Sequence, residues 1–137
     1  MIHFKVFDIS GDVGLTIYGA TVEELFQNAA HGLFSLMTEP SNILETEERK
    51  VTVESEDDEG MLIKWLNELI FLFDAYGFVG KKFTIKFMTD QLSAVIAGGI
   101  FDYDKDERRL LIKAATYHNL SLKKDSSGYE AMVMFDI

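Results

Sequence analysis

The chain of 137 residues carries 23 acidic side chains against 13 basic ones, a formal net charge of −10, with 47% hydrophobic residues and no cysteine. That length and apolar content fit one ordinary domain over residues 1–137 and exclude a disordered chain, while the lack of cysteine excludes disulfides and thiolate chemistry. The basic residues are scattered and never exceed two in a row, which argues against tight direct binding to RNA or DNA, whose phosphates call for Lys and Arg; cations and basic protein surfaces are the expected partners.

The amino-terminal Met1-Ile2-His3-Phe4-Lys5 lacks the apolar core of a secretory signal. No apolar stretch reaches the roughly 20 residues of a membrane span, so a cytoplasmic protein with no membrane association is expected. Residues 4–7 and 15–18 alternate apolar and polar side chains and read as strands. Between them, Asp8-Ile9-Ser10-Gly11-Asp12-Val13-Gly14 packs two carboxylates, a hydroxyl and two glycines into seven residues. Aspartates in such a joint either bond their own backbone or hold a cation.

Thr21-Val22-Glu23-Glu24 has the spacing of a capping box. Leu25, Phe26, Ala29, Ala30, Leu33, Phe34 and Met37 then recur on one face of a helix, which Pro40 stops. Residues 42–49 are polar and read as a loop, followed by a strand at 50–54. The acidic run Glu54-Ser55-Glu56-Asp57-Asp58-Glu59 offers oxygens to a hard cation, but its place ahead of a helix favours a capping role. A second helix buries Leu62, Trp65, Leu66, Leu69, Ile70 and Phe73 and ends at Gly77. The remainder reads as about five strands, at 82–87, 92–97, 110–114, 120–122 and 129–135. The expected fold is α+β: one mostly antiparallel sheet of seven to eight strands with two amphipathic helices packed on it.

Neither a Gly-x-Gly-x-x-Gly nor a P-loop pattern occurs, so the common nucleotide sites have no support. His3, His31 and His118 show no zinc spacing, and no nucleophile elbow is present.

Four segments, in order and spanning essentially the whole chain, resemble the archease family. Asp8-Ile9-Ser10-Gly11-Asp12-Val13-Gly14 is similar to its D-H-T-A-D-V-G opening, and Lys64-Trp65-Leu66-Asn67-Glu68-Leu69 to its W-L-N-E-L helix. Lys113-Ala114-Ala115-Thr116-Tyr117-His118-Asn119-Leu120 resembles its K-A-V-T-Y-H-G-L strand, and Phe135-Asp136-Ile137 its D-I terminus.

The resemblance implies an accessory protein that is not itself catalytic. Its partner would be the GTP-dependent RNA ligase of tRNA splicing, whose guanylylation and turnover it promotes, with RNA met only indirectly. The resemblance also implies a divalent-cation site, calcium first with magnesium or manganese possible, held by Asp12, Asp136 and the main-chain oxygens of Ile137, including a terminal carboxylate. Oxygen donors of this kind suit a hard cation. Asp8, Lys105 and His118 are candidates for a surrounding or partner-facing role, Lys105 against the plainer reading of a solvated loop lysine.

Three positions depart from the family pattern. The histidine of D-H-T-A-D is Ile9, the histidine of a lysine-histidine pair is Asp106 beside Lys105, and a glutamate is Gly99. Two other classes remain open: a chaperone-like interaction module with an acidic surface, and a small metal-dependent hydrolase using Asp8 or His118 as base.

Overall fold

A computed structural model describes residues 3–137; Met1 and Ile2, where the amino-terminal signal reading begins, lie outside the described residues. Strands β1 (Phe4–Ile9) and β2 (Asp12–Gly19) form a hairpin closed by the pair Ile9 and Asp12. Its loop, Ser10-Gly11, has φ of +50° and +89°. Two positive values are what a type I′ turn demands, and glycine meets that demand without a Cβ clash.

Helix α1 (Val22–Met37) starts where the capping box places it. The Thr21 hydroxyl accepts from the Glu24 N–H at 3.1 Å, and the Glu24 carboxylate accepts from Ala20, one residue earlier than the motif predicts. A 3-10 turn at Pro40–Asn42 leads to β3 (Glu47–Glu54). This strand begins in the segment read as loop. Its polar start is tolerated because β3 is an edge strand, paired through its backbone to β5 alone.

Helix α2 (Asp58–Tyr76) is capped by Asp57, whose carboxylate accepts from the Gly60 N–H at 2.6 Å. The acidic run therefore serves the helix start, and Gly77 closes the other end. Strands β4 (Phe78–Met88), β5 (Gln91–Ile100), β6 (Ala114–Asp125) and β7 (Gly128–Asp136) complete the chain.

The α+β class holds, but the seven described strands form two antiparallel sheets, with orders β1-β2-β7-β6 and β3-β5-β4. The helices lie between them instead of on one face of a single sheet. In α1, Gly32 faces Leu15 of the first sheet, while Phe26 and Phe34 meet Phe87 and Phe83 of the second, with ring centroids 5.0 and 6.1 Å apart. Helix α2 buries Met61, Ile63 and Leu72 as well as its expected face, as a helix must when apolar surfaces lie on more than one side. The Trp65 indole N–H donates to the Phe26 carbonyl at 3.0 Å, joining the two helices inside the core.

The apolar stretch 110–113 is not a strand. The N–H groups of Arg109 and Leu110 donate to the carbonyls of Met37 and Leu36, which lack helical partners at the end of α1. The apolar stretch 120–122 belongs to β6, whose register slips between Thr116 and Ser121.

Candidate functional site

Strand alternation decides which side chains share a face. Val13, Leu15 and Ile17 of β2 are buried against α1, so Asp12 points away from the helices. On β7, Phe135 and Val133 are buried in the same layer, so Asp136 also points outward. The ladder pairs Val13 with Phe135. One step further along, the same register brings Asp12 level with Asp136 on neighbouring strands. Residues opposed in this way have Cβ atoms roughly 5 Å apart. The amino-proximal turn and the end of β7 thus meet, and both carboxylates are exposed.

Two like charges directly opposite each other destabilise a sheet. A hard cation between them removes that cost, and two carboxylate groups are donors of the right kind. The Asp136 carbonyl already accepts from the Lys113 N–H at 2.8 Å, which leaves the main-chain oxygens of Ile137 as the adjacent further donors. Among the described residues no group of three or more His, Cys, Asp or Glu side chains is placed to hold a metal ion. The donor set therefore fits a cation only as two carboxylates plus main-chain oxygen.

The other candidates lie elsewhere. Asp8 pairs with Val13 and shares its side of the sheet, the face opposite to Asp12. Lys105 is exposed on a loop and lines a depression of about 170 Å³ with Asn42, Leu44, Thr46, Ile100 and Asp106. In that loop the Asp106 carboxylate accepts from the Asp102 N–H at 2.7 Å. His118 is exposed in the irregular part of β6, four residues beyond the Ala114 that pairs with Asp136. At full strand rise that is roughly 13 Å. The sheet register brings together Asp12 and Asp136, with Ile137 next in sequence; it puts Asp8 on the opposite face and His118 further along β6, and Lys105 lies outside this sheet, on the loop between β5 and β6.

One positioning residue escaped the sequence reading. Asn67 of α2 uses its amide as a strand would use its backbone: Oδ1 accepts from the Ala115 N–H at 2.8 Å and Nδ2 donates to the Ala115 carbonyl at 3.3 Å. This fixes the start of β6, whose Ala114 pairs with Asp136. The available signal was a poor helix former in the middle of an apolar helix.

Residues 4–137 match the model of the archease protein family. The chain belongs to the archease family. The archease of Saccharolobus solfataricus is 37% identical over 100% of both chains, and that of Methanothermobacter thermautotrophicus is 34% identical over 98% of each. The solution structure of a Methanobacterium thermoautotrophicum protein superposes with a TM-score of 0.84 at 35% identity, covering 98% of this chain and 99% of that one. A crystal structure from Thermotoga maritima, described as an archease and possible chaperone, gives 0.70 at 25% identity over 97% and 96%. The departures from the archease pattern now have physical settings. Ile9 is the hairpin partner of Asp12 on the outer face and is 49% exposed. Gly99 lies flat against the Leu44 carbonyl, where no longer side chain fits.

Proposed function

We propose that this archease activates a GTP-dependent RNA ligase in the cytoplasm by promoting its guanylylation, and that Asp12, Asp136 and the main-chain oxygens of Ile137 hold a divalent cation, calcium in the first place, for that task. The observation that carries the reading is the antiparallel register of β2 and β7, which sets Asp12 and Asp136 side by side on one face. The partner class is what the family resemblance implies, and membership in that family supports it. The net charge of −10 supports action through a protein with a basic surface, with RNA reached only through that partner.

A bound cation would supply positive charge that phosphate oxygens recognise. The chain's own part is geometric: Asn67 ties the start of β6, the neighbour of β7, to α2, and the Ser10-Gly11 turn sets where β2 begins at Asp12. The test is ligase guanylylation followed with and without substoichiometric amounts of this chain. Faster and repeated guanylylation that a calcium chelator abolishes supports the reading. An unchanged rate defeats it.

The description of the Thermotoga maritima relative as a possible chaperone favours a second reading, a general acidic client-binding module. It predicts suppression of aggregation for unrelated basic proteins, without sensitivity to chelators. A hydrolase finds less support, because Asp8, one of its two candidate bases, faces the other side of the sheet.

A further inference from the structure

The last four carbonyls of α1 all find donors, three of them in the segment 107–113 that precedes β6. The Phe34 carbonyl accepts from the Thr38 N–H, and those of Leu36 and Met37 accept from the N–H groups of Leu110 and Arg109, each at 2.9 Å. The Ser35 carbonyl accepts from Nη1 of Arg109 at 2.9 Å, and the rest of that guanidinium bonds the Glu39 and Glu107 carboxylates. The Thr38 side chain, fully buried, donates its hydroxyl to the Glu107 carbonyl at 2.6 Å. At the other end of the segment, past the buried Ile112, the Lys113 N–H donates to the Asp136 carbonyl at 2.8 Å. The segment is a strap, pinned to α1 at one end and to a member of the carboxylate pair at the other.

We propose that Arg109 and Thr38 are positioning residues for the cation site: they hold the strap against α1, and its far end aims the main chain at Asp136 and Ile137. The inference rests on the functional reading above. The Lys113 N–H turns the Asp136 carbonyl toward the β6 side. The peptide that follows is planar, and carbonyls of successive extended residues point to opposite sides. Carried one residue further, that alternation turns the Ile137 oxygen to the β2 side, where Asp12 stands. Two carboxylates are a sparse set for a hard cation that takes roughly six to eight oxygens, so the aim of the main-chain oxygen matters for affinity. Groups that orient metal ligands without touching the metal govern affinity by about tenfold or more. Arg109 and Thr38 stand in that relation to the main chain at Asp136.

The test is calcium binding to the purified full chain by titration calorimetry, beside thermal melts in chelator that check folding. Arg109→Gln and Thr38→Val raise the dissociation constant about tenfold, while Thr38→Ser, which keeps the hydroxyl, binds as wild type does. Charge alone predicts the opposite for Arg109→Gln, since removing a positive charge favours a cation. Folded variants that bind calcium as tightly as wild type, or more tightly, overturn the positioning role while the functional reading stands. A wild-type chain that binds no calcium overturns the cation site itself, and the inference with it. If a variant does not fold, hydrogen exchange on the wild type decides: calcium slows the Arg109, Leu110 and Lys113 amides more than the amides of β5 in the second sheet. Equal slowing in both places overturns the coupling.

Discussion

Asn67 stands in for a neighbouring strand at Ala115, bonding both the N–H and the carbonyl of that residue from its place on α2. Two of the segments that resemble the family are thereby explained as one contact: the helix supplies the amide and the strand supplies the backbone. The contact lies one residue from Ala114, which pairs with Asp136, so it couples core packing to the carboxylate pair.

Removing the Asn67 amide leaves two part-buried backbone groups without their partner. Asn67→Ala is expected to cost about 1–3 kcal/mol of stability, the range for an unsatisfied polar group. Asn67→Asp should cost more, because a carboxylate then faces the Ala115 carbonyl. Denaturant unfolding monitored by Trp65 fluorescence measures both; midpoints equal to wild type would refute the clamp.

Relief of like-charge opposition gives a second outcome. Asp12→Asn should raise the melting temperature in a chelator, since one of two opposed carboxylates is gone. The same variant should lose the rise in melting temperature that calcium gives the wild type. A variant less stable than wild type in chelator would show that the two carboxylates do not oppose each other.

The imidazole of His31 packs edge-on against Phe83, with centroids 5.0 Å apart. Burial, and then the neighbouring His3, lower its pKa below the usual value of 6.5. A histidine depressed in the folded state binds fewer protons there than in the unfolded chain. Its contribution is present above pH 6.5 and is lost as pH falls toward the folded pKa. Stability measured from pH 7 downward should therefore decline in this window, and His31→Gln should flatten the decline. A proton NMR titration placing His31 above 6.5 would contradict the sign.

The helices were legible because thirteen apolar positions keep a helical period, Leu25 to Met37 in one and Leu62 to Phe73 in the other, and all thirteen are buried. The Asp- and Gly-rich stretch 8–14 was legible as a joint between two strands, and the structure narrows the turn to Ser10-Gly11 because the strands extend to Ile9 and from Asp12. The split into two sheets was not, because a strand's own pattern does not name its partner. The stretch Leu110-Leu111-Ile112 reads as a strand by its apolar run, yet only Ile112 is buried, and backbone donors just ahead of it serve the open carbonyls of α1. The meeting of Asp12 with Asp136 joins opposite ends of the chain, so no local spacing reports it. The family resemblance suggested the pair, and the β2–β7 register gives it a geometry.

The most direct measurement compares wild type, Asp12→Asn and Asp136→Asn as activators of ligase guanylylation at equal, saturating concentrations, with folding checked by thermal melts. The account predicts that wild type stimulates and that each folded variant loses most of that stimulation. Variants that stimulate as fully as wild type would contradict it.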